Sequence, residues 1–250
     1  MQVSAKISDR EMLRRLLLLF VVFCFTSVLA GVSRMWPSAW QLHEIGGSLR
    51  YREMFSMFLF APVICMLFWM ICRTVGRGKS SITVDLLMVL AIYCIACGMG
   101  IHDPTNRLMS AYSTSTDLSV GVRHALNFLD DSLGHWVFWG GFVLGTWVVG
   151  MQQVLNPLDE KMGWPWRIVW GLIALVMGWV MATNLWNEYP STKADLVIIA
   201  LAASGVLLFQ GVVSRKIELL RQPVLLIMYP AYYGSMIATG VCWWIRWDTL

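Results

Sequence analysis

Long apolar stretches separated by short polar ones form the main pattern along this chain. Seven of these stretches have about the 20 residues that an α-helix needs to cross the hydrocarbon core of a bilayer. The pattern therefore predicts an all-α fold, a polytopic integral membrane helix bundle of about seven transmembrane helices that forms a single membrane domain over residues 1–250. The predicted spans are roughly 16–35, 53–73, 82–102, 132–152, 166–186, 194–214 and 223–245.

The composition supports a chain surrounded by lipid. Hydrophobic residues make up 58% of the chain and charged residues only 14%, whereas a typical soluble domain has about 25% charged residues. This small number of charges cannot give a globule a polar surface. We therefore predict a multi-pass protein of a cell or inner membrane whose main partner is the lipid bilayer. The net charge of +4 is modest, and the lysines and arginines lie in short clusters between apolar stretches. No nucleic-acid partner is expected.

The distribution of positive charge predicts the orientation. If the N-terminus is cytoplasmic, twelve lysines and arginines fall on the inner side and seven on the outer side. Cytoplasmic loops carry the excess of Lys and Arg, so the N-terminus is predicted inside and the C-terminus outside. The first apolar stretch also has the basic start of a signal peptide. Because no clean cleavage site follows it, we interpret it as a retained first helix.

Titratable groups concentrate between residues 101 and 135, where three of the four histidines lie. Residues 103–131 are predicted to form a polar connection on the outer side and the entry into the fourth span. If residues 119–149 form one α-helix, at about 100° per residue, His124, Asp131 and His135 share one face and Asp130 points elsewhere. Asp131 and His135 are four residues apart, a spacing at which two side chains can bind one metal ion.

A third ligand is expected from the neighbouring span. His102 ends the third apolar stretch, and an up-down arrangement brings that end beside the start of the fourth span. We therefore predict a divalent metal site of His102, Asp131 and His135, with zinc favoured and iron or copper as alternatives. Asp103 and Asp130 are the candidate general bases. Further polar or supporting residues are predicted at Asn106, His124 and Asn184.

The same polar residues fit other interpretations. Ionisable groups in membrane spans are costly and mark function, but near the interface they can also form a hydrogen-bond network that caps two helices. Gly141 and Gly145 make a G-x-x-x-G pattern, which is typical of close helix packing. That packing could lie inside the bundle, or it could form a surface for a homo-oligomer or a partner in a membrane complex.

Three classes of function follow from these residues. The predicted topology and the outward His/Asp cluster resemble intramembrane zinc hydrolases of the ceramidase and adiponectin-receptor type, and the resemblance implies a metal-dependent hydrolase acting on a lipid or amphipathic substrate. A non-haem metal oxygenase is a variant of this prediction. Those hydrolases carry H-x-x-x-H on the last helix, whereas residues 223–245 contain no histidine. The alternatives are a transporter or proton-coupled carrier that uses the same His/Asp stripe, and a non-catalytic subunit of a membrane complex.

Overall fold

The computed structural model describes residues 7–35, 44–45, 49–79, 81–112, 119–187, 193–214 and 218–247. These residues are almost entirely helical, so the prediction of an all-α fold is confirmed. A two-residue antiparallel ladder, β1 (Glu44–Ile45) with β2 (Leu49–Arg50), precedes the second long helix. The α-helices, in chain order, are α1 Asp9–Met35, α2 Tyr51–Phe55, α3 Ala61–Val75, α4 Ile82–Tyr112, α5 Val120–Asn127, α6 His135–Leu155, α7 Trp164–Asn187, α8 Lys193–Ser214 and α9 Pro223–Trp247.

Two π-helices and one short 3₁₀ turn join some of these elements. The first π-helix, π1, connects α2 to α3, and the second, π2, connects α5 to α6, so that each lies inside a longer continuous helix. A 3₁₀ turn precedes α9. Their bounds are Ser56–Phe60 for π1, Phe128–Gly134 for π2 and Leu219–Arg221 for the 3₁₀ turn.

Six of the seven predicted spans form helices that are long and apolar enough to cross a membrane, counted over the described residues. The predicted fourth span is also helical, as α6 with 21 residues, but it is not among those six. Its glycines, tryptophans and two glutamines lower its hydropathy without shortening it. The chain therefore has the architecture of a multi-pass membrane protein. The orientation of its termini stays a prediction.

The chain divides into two compact units. The first unit comprises Met1–Cys24, Leu67–Met88 and Val143–Leu250, and the second comprises Phe25–Met66 and Val89–Phe142. The division cuts through α1, α3, α4 and α6 instead of falling between helices. The candidate site lies entirely in the second unit.

Buried uncharged polar side chains connect the helices of the first unit. Tyr229 on α9 donates a hydrogen bond of 3.0 Å to Gln210 on α8. Gln153 on α6 accepts one of 3.2 Å from the backbone N–H of Val224. Gln153 and Gln210 are both fully buried, with 0% exposure. A buried polar group without a partner is costly in an apolar environment, so these pairings fix how the apolar helices pack.

The end of α3 has an unusual residue in its cap. Gly78 N–H bonds to Arg73 C=O and Arg77 N–H bonds to Thr74 C=O, each at 3.0 Å, which is the Schellman pattern of helix termination. The residue that follows the helix in this motif is usually glycine because it adopts a left-handed conformation. Here it is Arg77, with φ of +53°.

The Arg77 side chain explains why an arginine occupies that position. Its Nη2 lies 2.7 Å from Asp9 Oδ1, and its two Nη groups donate to the carbonyl oxygens of Ile7 and Pro157 at 3.0 and 3.1 Å. Asp9 Oδ2 in turn accepts a hydrogen bond of 2.7 Å from the backbone N–H of Asp159. The buried guanidinium thus ties the start of α1 and the loop after α6 to the end of α3. We call Arg77 and Asp9 the clasp.

Candidate functional site

Glycines let α4 and α6 approach with their backbones in contact in the second unit. A Cβ atom on Gly141 would lie 2.6 Å from the carbonyl oxygen of Ala91, and one on Gly98 would collide with the backbone nitrogen of Phe138. Gly141 is therefore in contact with its own chain, as the interpretation of packing inside the bundle requires. The oligomer surface through Gly141 and Gly145 stays a prediction and receives no support from this contact.

This packing brings His102 on α4 against the start of α6. The Nδ1 atom of His102 lies 2.6 Å from Oδ1 of Asp130 in π2. The rings of His102 and His135 meet edge to face, with centroids 4.6 Å apart and an interplanar angle of 87°. Gly134 makes room for this, since a Cβ atom there would lie 3.1 Å from the Cβ of His102. The predicted approach of His102 to His135 is present in the structure.

The carboxylate beside His102 is that of Asp130. The α-helical wheel had instead indicated Asp131 for the site. Asp130 is buried, with 6% exposure, and Asp131 is exposed. Both aspartates lie in π2, whose hydrogen bonds run from residue i to i+5, so the α-helical angle of 100° per residue does not hold there. Asp130 precedes His135 by five residues and Asp131 by four. The choice of Asp131 over Asp130 rests on an α-helical geometry that π2 does not have, and the metal set with Asp131 stays a prediction.

The other predicted site residues have different environments. Asn106 and His124 are exposed, and Asp103 is half-buried. Asn184 belongs to α7, and its side chain lies outside the described part of the chain. Among the described residues, no group of three or more histidine, cysteine, aspartate or glutamate side chains is placed to hold a metal ion. The predicted set of His102, Asp131 and His135 is thus not assembled in this arrangement.

Three buried polar atoms of the site make no hydrogen bond. They are Nδ1 of His102, Oδ1 of Asp130 and Oδ2 of Asp103. The first two lie within 2.6 Å of each other, so they interact as charges or dipoles without the alignment of a hydrogen bond. Buried polar atoms in native proteins nearly always have a partner, and exceptions concentrate where a water, an ion or a chemical role explains them.

Two further buried ionisable residues of the second unit were not predicted as site residues from the sequence. Glu53 in the first turn of α2 is 3% exposed, and Arg107 on α4 is 8% exposed. Each is an ionisable residue within a helix that can span a membrane, which is itself a functional signal. Sequence reasoning assigned Glu53 only the favourable position of a carboxylate at a helix start.

Comparisons with known proteins give this chain no relatives: no family model, no curated protein and no solved structure matches it. What the fold establishes is a class, a multi-pass membrane protein with several apolar helices.

Proposed function

We propose that this protein is a membrane hydrolase that uses a divalent metal ion, with zinc favoured, bound by the imidazoles of His102 and His135. The observation that carries the proposal is the contact of these two rings, with centroids 4.6 Å apart, beside a buried carboxylate. Neutral imidazole is the commonest metal ligand in proteins. Two imidazoles from different helices, together with one carboxylate, would form a catalytic zinc site with an open position.

The chemistry of such a site is the hydrolysis of an ester or amide. Bound zinc lowers the pKa of its water to about 7, which gives a nucleophile near neutral pH. Asp103 follows His102 directly, and its buried Oδ2 lacks a hydrogen-bond partner, so it is the candidate general base that takes the proton of the attacking water. The proton would then pass to the leaving alcohol or amine.

The surroundings of the site favour a lipid or amphipathic substrate. His102 lies within the apolar span Ile82–Met109. An exposed Trp136 follows His135 directly on α6. A substrate with an acyl chain could reach the site from the bilayer, because its chain would stay in an apolar environment during approach.

A proton-coupled carrier is the second candidate, and one observation favours it. The acid–imidazole pair joins the half-buried His102 to the buried Asp130 on helices of a membrane protein, where ionisable groups of this kind mark proton pathways. The described residues hold no three-ligand metal group, and a proton relay would need none.

Metal analysis of the purified protein in detergent separates these functions. We expect wild type to bind zinc in a one-to-one ratio. Removing a residue that hydrogen-bonds to a metal ligand lowers metal affinity about 10–100-fold. His102→Ala and His135→Ala remove ligands themselves, so each is expected to lower zinc affinity at least as much. His124→Ala is the matched control, because His124 is exposed on α5 and its removal should leave zinc binding unchanged.

Other outcomes of these measurements would contradict the proposal of a hydrolase. A wild-type protein without zinc affinity that carries protons into vesicles, and loses this flux in Asp130→Asn, would be a carrier. If it shows neither zinc binding nor flux, the non-catalytic subunit becomes the remaining interpretation.

A further inference from the structure

We propose that a cavity in the first unit binds the headgroup of a zwitterionic phospholipid, with the phosphate on Lys79 and Arg221 and the ammonium on Asp159. The cavity has a volume of about 270 Å³, close to the lower end of the roughly 300–1,000 Å³ of small-molecule sites. The residues that line it all belong to the first unit. This lipid site does not depend on zinc binding.

Hydrogen bonds fix the walls of the cavity. The backbone N–H of Leu158 donates to the carbonyl oxygen of Arg221 at 2.8 Å, and that of Met162 donates to the carbonyl oxygen of Leu220 at 2.8 Å. The Nε of Arg221 donates to the carbonyl oxygen of Leu158 at 2.7 Å. The loop after α6 is thus paired with the 3₁₀ turn before α9, and the clasp joins the same loop to the end of α3. Walls fixed in this way need little ordering when a ligand binds.

The basic residues of the cavity lie close to the ends of spans. Arg77 follows the span Glu53–Val75 by two residues, and Lys79 follows it by four. Arg221 precedes the span Pro223–Trp244 by two residues. The ends of membrane-spanning helices lie near the lipid headgroups, and basic pockets at this level bind such headgroups. A phospholipid is therefore the polar ligand present at this depth.

The charges around the cavity favour a zwitterionic headgroup over an anionic one. Asp9 neutralises Arg77 at 2.7 Å, and Glu218 neutralises Arg221 at 2.9 Å. The other two lining charges have opposite signs and are both exposed, on Lys79 and Asp159. Charged groups of both signs match a ligand that carries a phosphate and an ammonium.

Two of the cations have hydrogen-bond donors to offer to the phosphate. Arg221 uses its Nε on Leu158 and its Nη1 on Glu218. Its Nη2 and the Nζ of Lys79 make no hydrogen bond to any residue that the structure describes. Hydrogen bonds from Lys and Arg to phosphate are charge-assisted, and they are about twice as strong as bonds between neutral groups.

Two further lining residues fit the other parts of a phospholipid. The Asp159 side chain is 62% exposed, and its Oδ2 lies 3.8 Å from Nη1 of Arg77. Its carboxylate can accept hydrogen bonds from a primary ammonium. Leu155, which ends α6, is 56% exposed, so it offers an apolar contact to the glycerol and acyl carbons.

Native mass spectrometry of the full-length protein in detergent, titrated with phosphatidylethanolamine, tests the proposal. We expect a one-to-one complex, with phosphatidylglycerol bound about fivefold more weakly because it has no ammonium. Lys79→Gln should weaken the binding of both lipids about fivefold, which is the upper range for an exposed ion pair. Asp159→Asn should weaken only phosphatidylethanolamine, and phosphatidylglycerol should then bind at least as tightly as it binds to wild type.

Lys161→Gln and Glu160→Gln are the matched controls. Both residues are exposed in the same loop and carry the same charges as the tested pair, but they do not line the cavity. Neither control should change the affinity for either lipid. All four variants keep the backbone hydrogen bonds of the walls, so we expect all of them to fold.

Three results would overturn the proposal. Equal affinities for the two lipids, unchanged in Asp159→Asn, would exclude a role for the ammonium. If glycerophosphoethanolamine, the same headgroup without acyl chains, binds as tightly as the lipid, the ligand is a soluble phosphate ester. Lipid binding that persists unchanged in Lys79→Gln would occur elsewhere on the protein. Zinc binding is measured separately, so the hydrolase proposal stands or fails by its own result.

Discussion

Arg77→Ala is expected to lower the free energy of unfolding by about 3–5 kcal/mol, the cost of removing one partner from a buried ion pair. The Arg77 side chain is only 6% exposed and that of Asp9 is 22% exposed. Alanine would leave the Asp9 carboxylate without its cation and the carbonyl oxygens of Ile7 and Pro157 without their donor. The alanine would also stand at a position with a positive φ, where a residue with a Cβ atom is unfavourable. Equilibrium unfolding in detergent measures the effect.

Two comparisons isolate the clasp in this measurement. Arg77→Gly should be less destabilising than Arg77→Ala by about 1 kcal/mol, because glycine adopts a positive φ without the penalty of a Cβ atom. Arg15→Ala is the control for loss of charge alone, since Arg15 pairs with Glu11 at the surface with 55% and 45% exposure. An exposed pair of this kind contributes less than about 0.5 kcal/mol. An Arg77→Ala effect no larger than that of Arg15→Ala would show that the clasp does not hold the helix ends together.

Alanine at Gly141 and at its neighbour Gly140 should have effects of opposite sign. A Cβ atom on Gly141 would meet the carbonyl oxygen of Ala91 at 2.6 Å and the backbone nitrogen of Ile95 at 2.7 Å. Backbone atoms cannot move aside as a flexible side chain can, so α4 and α6 would have to separate. Overpacking of this kind typically costs about 1–3 kcal/mol. The separation should also weaken zinc binding, because it moves His102 away from His135.

Gly140→Ala is the matched control because no other atom lies within 4 Å of the position where its Cβ would stand. Alanine favours a helix over glycine by about 0.5–1 kcal/mol, so this variant should be as stable as wild type or slightly more stable. The same unfolding measurement compares the two, and zinc titration reports on the site. Equal stability of Gly140→Ala and Gly141→Ala would contradict the close packing of α4 on α6.

The sequence predicted the class of fold well because length and hydropathy are local properties. Each apolar stretch of about 20 residues requires its own backbone hydrogen bonds in a lipid environment, and a helix provides them whatever its neighbours are. Even α6, whose glycines and tryptophans lower its hydropathy, is helical where the pattern placed it. Orientation, partners and the identity of the membrane are not local properties of this kind, and they stay predictions.

The site shows how far the same reasoning reaches. Spacing and the up-down connection between spans placed His102 beside His135, and the structure brings the two rings together. The choice between Asp130 and Asp131 assumed 100° per residue throughout, which π2 does not follow, and the ligand set with Asp131 stays a prediction. A single π turn changes that angle locally, and no pattern of residues in π2 predicts such a turn.

By itself, the sequence determined a helical membrane protein and the stretch of chain in which its polar chemistry is concentrated, since both follow from the free energy of placing each residue in lipid. Only the tertiary structure decided that Asp130 faces His102 and that Arg77 holds a left-handed cap against Asp9. Both depend on contacts between residues far apart in the chain, where packing and burial outweigh the local preferences of the backbone.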